Sequence, residues 1–311
     1  MDLRTVDYHT AGEPFRIVLG GVPPIPGATI REKREAAAAS ESIDAVRKLL
    51  CHEPRGHADM YGCFVVEPDD AGAGFGVLFW HKDGYSTACG HGTIALGRWA
   101  VESGRVAGPE VVIDVPSGRV VARVDDDGVA FGNVPARVVA RGVRAGNVEV
   151  DLAWGGALYA FVPAERFGLR VVPGDVPALI DAGRAVKAAL AGSEAVRHPT
   201  DARLDGLYGT VLYENDGATG GERNVTVFAD GEVDRSPCGS ATSARTALRA
   251  ADGRTGPWTN ASIIGTTFQA TLLGETPDGL LTEVRGNAYK TGEHHFTLHP
   301  DDPLGTGFVL R

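Results

Sequence analysis

Two stretches of the chain carry residue types that could do chemistry together: Ser86-Thr-Ala-Cys-Gly-His-Gly-Thr-Ile-Ala95 and Arg235-Ser-Pro-Cys-Gly-Ser-Ala-Thr-Ser-Ala244. In each, a cysteine stands directly before a glycine that opens a helix-forming run. The first turn of a helix has unpaired N–H groups and the positive end of the dipole. A thiol placed there is expected to ionise more easily than a free cysteine, whose pKa is about 8.5. The glycine after each cysteine leaves room for a ligand to reach those N–H groups, which suit a carboxylate. Two such sites facing each other would grip one carboxylate and put a sulfur on each face of the carbon beside it. That geometry fits removal of an α-proton from one face and its return to the other, with N–H groups stabilising the enolate-like intermediate. Such chemistry requires no metal and no pyridoxal cofactor.

The elements that must position these cysteines are short strands broken by Gly, Pro and Asp, with a few helices between them. Runs rich in Val, Phe, Tyr and Thr predict strands at 15–18, 62–66, 76–80, 110–115, 119–124, 129–134, 158–162, 206–212, 224–229, 261–264, 268–273 and 280–285. Helices are expected at 36–49, 92–102, 176–191 and 242–251. The mixture reads as α+β with mainly antiparallel strands. Laying Cys89 on Cys238 also lays Gly90 on Gly239, Thr93 on Thr242, Ala95 on Ala244 and Gly104 on Gly253, a displacement close to half the chain. Two similar lobes, each delivering a cysteine at a helix start, follow from that match.

With 311 residues and 43% hydrophobic content, the chain is long enough for two cores. Its net charge of -10 is spread without a long run of either sign, so neither a nucleic-acid nor a membrane partner is expected. The N-terminal residues lack a signal-type apolar core, and a cytoplasmic location is expected. The four cysteines, Cys51, Cys63, Cys89 and Cys238, are too scattered for a disulfide framework. The spacing of Cys51, His57 and Cys63 fits no compact zinc knuckle. Gly72-Ala-Gly-Phe-Gly76 precedes a strand-like run instead of opening a helix, so the dinucleotide-loop reading fails. His294 and His295, adjacent in an expected strand, should point to opposite faces.

Cys89-Gly-His-Gly92 and Asp234-Arg-Ser-Pro-Cys-Gly-Ser240 resemble the two signature motifs of the proline racemase family, which includes hydroxyproline 2-epimerases and trans-3-hydroxy-L-proline dehydratases. His9-Thr-Ala-Gly-Glu-Pro14, Glu53-Pro-Arg-Gly-His-Ala-Asp-Met-Tyr-Gly62 and Asp301-Asp-Pro-Leu-Gly-Thr-Gly-Phe308 extend the resemblance over nearly the whole chain. It implies a two-lobed fold of the diaminopimelate epimerase type, each lobe a curved sheet around a central helix, with the site in the cleft between lobes. It also implies a homodimer, and a first lobe of residues 1–126 to which 287–311 returns, with 127–286 as the second. Carried over by residue, it makes Cys89 and Cys238 the acid-base thiols and lets Gly90, His91, Gly239 and Ser240 hold the substrate carboxylate. Asp234 then lies near the substrate amine, and Tyr61 and Phe228 lie around its ring.

The resemblance leaves the substrate open within a small group of imino acids. Ala88 replaces a frequent Met and Ala241 a usual Gly, which alters the pocket wall. Ser86 and Tyr61 put hydroxyls where strict proline racemases are apolar, and this favours a hydroxylated ring. Gly84-Tyr-Ser-Thr87 is similar to the dehydratase branch, in which Thr usually replaces the second thiol, whereas Cys238 keeps two-base chemistry available. The expected activity is 4-hydroxyproline 2-epimerase or proline racemase. The alternatives are trans-3-hydroxy-L-proline dehydratase, a lyase, or an amino-acid-binding family member without these activities.

Overall fold

The computed structural model describes residues 1–310. Five helices, α1 (Ile30–Ala39), α2 (Glu41–Cys51), α3 (Gly90–Glu102), α4 (Val176–Leu190) and α5 (Gly239–Ala251), are set among eighteen strands joined by hydrogen bonds into one continuous sheet system. The chain has the expected two-lobed α+β architecture. In the first lobe, α3 is wrapped by Asp2–Thr10, Glu13–Gly20, Glu110–Val115, Gly118–Asp125 and Ala288–Thr297, and it also packs on Gly128–Gly132. In the second, α5 is wrapped by Arg137–Ala145, Val148–Trp154, Leu158–Pro163, Thr267–Thr276 and Gly279–Gly286. Both helices are apolar or small nearly all round, as a helix enclosed by a curved sheet must be. The other three pack outside the sheets, α1 and α2 on Phe75–His81 and α4 on Leu207–Asp216.

Gly128–Gly132 pairs antiparallel with both Gly118–Asp125 and Gly279–Gly286, so it ties the two lobes together through backbone hydrogen bonds. We propose the expected division of the chain for the folded protein as well. Its boundaries fall in the turn before this strand and in the break between Gly279–Gly286 and Ala288–Thr297.

Local chemistry accounts for the departures from the predicted elements. The helix expected over 36–49 is two helices, because Ser40 takes an extended conformation (φ -93°) and its hydroxyl accepts from the N–H of Ile43 to cap α2. Thr29 and Glu32 form a capping box that starts α1 earlier than the apolar pattern suggests. The strand Asp2–Thr10 is absent from the prediction and its partner Ala288–Thr297 is expected only around His294 and His295, since their exposed faces carry charged and histidine side chains. Adjacent His294 and His295 do find different partners, with Nε2 atoms 3.3 Å from Asp7 and 2.8 Å from Asp2. Among the described residues, no helix is long and apolar enough to cross a membrane.

Candidate functional site

The N-termini of α3 and α5 meet head to head across the cleft. A Cβ placed on Gly90 would lie 2.6 Å from Gly239 Cα, and one placed on Gly239 would lie 2.8 Å from Gly90 Cα. Only glycine allows this approach. Each lobe therefore presents its helix start, and the cysteine before it, to the same small space.

Cys89 is the N-cap of α3. Its sulfur accepts from the N–H of Gly92 at 3.2 Å, and the His91 ring nitrogens lie 3.5 and 3.6 Å from it. Its carbonyl accepts from the N–H and the hydroxyl of Thr93. His91 in turn sits with Nδ1 3.7 Å from an Asp234 carboxylate oxygen, so a first-lobe ring spans from the sulfur to a second-lobe acid.

Cys238 is held differently. Its φ of 60° is a conformation that costs a non-glycine residue on the order of 1–3 kcal/mol, and such strain persists only where neighbours enforce it. Here the Pro237 carbonyl accepts from Asn224 Nδ2 (3.0 Å), Asn260 Nδ2 (3.3 Å) and the Thr242 hydroxyl (3.1 Å). The Cys238 N–H donates to the Ser236 hydroxyl. Its sulfur lies 3.9 Å from the Tyr159 hydroxyl and 4.0 Å from that of Ser240, those two hydroxyls bond each other at 2.7 Å, and the Ala241 N–H, the counterpart of Gly92, faces the sulfur more loosely than Gly92 faces Cys89.

Both sulfurs open into one narrow cavity of about 10 Å³, lined also by Tyr61, Ala88, Gly90, His91, Tyr159, Tyr208, Phe228, Asp234 and Ser240. Tyr61, Phe228 and Tyr208 form an aromatic wall with ring centroids 5.7–5.8 Å apart. Of the residues expected at a site, Ser86 and Gly239 do not line this cavity. Gly239 is pressed against Gly90, and Ser86 stands behind Tyr61, hydrogen-bonded to its hydroxyl, facing a larger outer cavity. Ala241 packs into the apolar cluster that also holds Tyr159, Cys238 and Leu248, so of the two alanine departures only Ala88 lines the cavity.

Sequence reasoning missed Tyr159, Tyr208 and Glu13. The tyrosines sit inside expected strands, but their convergence depends on a parallel pairing of Leu158–Pro163 with Leu207–Asp216 that the sequence does not announce. Glu13, within the quoted His9–Pro14 motif, is fully buried and accepts from the N–H of Arg235. Burial pushes its carboxyl well above the ordinary range, and the neighbouring Asp234 adds to the shift.

The expectation that a helix start lowers the thiol pKa is overturned. Burial pushes Cys89 well above the ordinary thiol range; the Gly92 N–H opposes this and Asp234 reinforces it. Burial and then Asp234 likewise raise Cys238. Desolvation of the two buried sulfurs outweighs the helix ends and favours the neutral thiols over the thiolates.

Elsewhere the chemistry is structural. Cys51 and Cys63 are buried free thiols, the former donating to the Met60 carbonyl. Among the described residues, His81, Asp83 and Glu232 bring ligand-type atoms within 4.8 Å of one another. Lys82 Nζ lies 2.7 Å from Asp83 and 4.0 Å from Glu232, so a resident ammonium already neutralises that group.

Two lobes wrapped round central helices that meet N-terminus to N-terminus define the diaminopimelate epimerase-like class. The chain belongs to the proline racemase family, whose sequence model, described as Proline racemase, matches residues 5–309. It is 41% identical to a trans-3-hydroxy-L-proline dehydratase of Bacillus cereus, over 98% of this chain and 97% of that protein. Its structure is similar to that of a hydroxyproline epimerase from Agrobacterium vitis with bound trans-4-hydroxy-L-proline, with a TM-score of 0.89 at 30% identity, covering 99% of this chain and 96% of that one. A probable proline racemase from Agrobacterium radiobacter gives a TM-score of 0.91 at 27% identity, with the same coverage.

Proposed function

We propose that the chain is an enzyme that removes the α-proton of a hydroxylated proline, and that its main reaction is dehydration of trans-3-hydroxy-L-proline. The observation that carries the reading is the inequality of the two thiols. Cys89 has an N–H donor and an imidazole beside its sulfur, groups that stabilise a thiolate there against the burial that opposes it. Cys238 has instead two hydroxyls beside its sulfur, and its first-turn N–H, that of Ala241, makes only a looser contact. In trans-3-hydroxy-L-proline the hydroxyl lies opposite the carboxylate and hence on the same face as the α-hydrogen. A single base on that face suffices for elimination, which agrees with the names of full-length relatives about 40% identical.

In this reading the first-turn N–H groups of α3 and α5 take the carboxylate, Asp234 takes the ammonium, and the Tyr61–Phe228 wall takes the ring. Cys89 accepts the α-proton, and the electron pair left behind forms the double bond as the hydroxyl departs. The retained Cys238 favours a second reading, 2-epimerisation of 4-hydroxyproline, because its sulfur enters the cavity from the opposite lobe. Epimerisation, the expectation from sequence, ranks second here because the named full-length relatives are dehydratases.

The test is incubation of the protein with trans-3-hydroxy-L-proline and trans-4-hydroxy-L-proline in deuterated water, followed by proton NMR. Water loss from the 3-hydroxy compound is the expected result. Inversion of the 4-hydroxy compound without water loss would transfer the assignment to an epimerase, and protection of the α-hydrogen in both would leave only ligand binding.

A further inference from the structure

Between the narrow site and solvent stands a wall made of three hydroxyls. Tyr61 and Tyr208 line the inner cavity; Tyr208 and Ser86 line an outer cavity of about 380 Å³ that is open to solvent. The Tyr61 hydroxyl is hydrogen-bonded to Ser86 Oγ and, at 3.0 Å, to the Tyr208 hydroxyl. A connected chain of exchangeable protons thus runs from the ring end of the site to the outer cavity, with the His81 ring packed beside both tyrosines. Tyr61 belongs to the lobe of Cys89, its ring 5.0 Å from that of His91. It thus enters the site from the lobe that carries Cys89.

Resting on the dehydration reading, we propose that Tyr61 is the acid that protonates the departing 3-hydroxyl, and that Tyr208 and Ser86 replace its proton from the outer cavity. The step balances. The Cα–H pair becomes the Cα–C3 double bond and the C3–O pair goes to oxygen. That oxygen takes the phenolic proton of Tyr61 to leave as water. Tyr61 regains a proton through Tyr208 or Ser86, and Cys89 loses the α-proton to solvent. Nothing is oxidised or reduced. Burial pushes both phenols well above their ordinary range, so they enter the reaction protonated, and hydroxide is a leaving group basic enough to take a phenolic proton. Cys238 is poorly placed for the task, since its sulfur belongs to the other lobe.

A leaving group that needs no proton separates this role from mere shaping of the pocket. Elimination from trans-3-hydroxy-L-proline and from trans-3-chloro-L-proline would be compared in wild type, Tyr61→Phe, Tyr208→Phe and Ser86→Ala. Lost general-acid catalysis predicts that the ratio of chloride to water elimination rises about a hundredfold in Tyr61→Phe and by a smaller factor in the two relay variants. An unchanged ratio in Tyr61→Phe would overturn the proposal, and an unchanged ratio in both Tyr208→Phe and Ser86→Ala would overturn the relay. Failure of the wild type to eliminate from either compound would instead overturn the dehydration reading on which the proposal stands.

Discussion

Gly90 and Gly239 touch across the interlobe cleft, with no room for a Cβ on either: a methyl on Gly90 would sit 2.6 Å from the Cα of Gly239. This contact sets the separation of the two helix starts and, through them, of the two sulfurs.

Ala at either position is expected to push the lobes apart. Overpacking against backbone costs about 1–3 kcal/mol, and a 1 Å displacement of reacting groups can lower the rate about a hundredfold. Steady-state kinetics and thermal unfolding of Gly90→Ala and Gly239→Ala check both effects. Wild-type turnover in either variant would mean that the contact does not set the geometry.

Asp234 raises both thiols through its negative charge. Neutralising it in Asp234→Asn should let the thiolates form at lower pH. Ultraviolet thiolate absorbance titrated in the unliganded protein is expected to move toward lower pH relative to wild type. In wild type, thiolate formation lies on the alkaline side of the ordinary thiol range because burial dominates. A shift toward higher pH in Asp234→Asn would contradict the electrostatic reading.

Glu222 anchors the helix that carries Cys238. It is buried, accepts from Arg245 at 2.7 and 3.0 Å and from Arg249 at 2.8 Å, and thereby ties α5 to the strand Gly221–Phe228. Burial pushes its pKa up, but the Arg245 and Arg249 guanidiniums outweigh this and hold it below the ordinary value. A depressed folded-state pKa contributes stability above the unfolded pKa that is lost as pH falls through the folded one. Glu222→Ala should therefore destabilise by about 3–5 kcal/mol, because it strands buried Arg245. It should also flatten the acid limb of stability below the ordinary glutamate range. Denaturant unfolding at several pH values measures both, and an unaltered acid limb would refute the assignment.

The sequence made the two-lobe plan and both sulfurs legible because the cysteine and glycine at each helix start are demanded by local geometry. Strand interiors rich in Val and Phe were readable for the same local reason. What stayed hidden depends on pairing between distant segments. Tyr208 reaches Tyr61 only because Leu207–Asp216 lies parallel to Leu158–Pro163, and the unusual backbone of Cys238 is enforced by Asn224 and Asn260 from two other strands. The thiol pKa direction was misread because a motif reveals the helix end beside a sulfur but not the depth at which the fold buries it.

The central claim is that Cys89 is the base at the α-carbon of an L-imino acid. Exchange of the α-hydrogen of trans-3-hydroxy-L-proline in deuterated water, followed by NMR and mass spectrometry of recovered substrate and product, tests it most directly in wild type and the two single variants. Cys89→Ser is expected to abolish both exchange and water loss, whereas Cys238→Ser keeps water loss and loses inversion of any epimerisable substrate. Wild-type exchange by Cys89→Ser would contradict the claim.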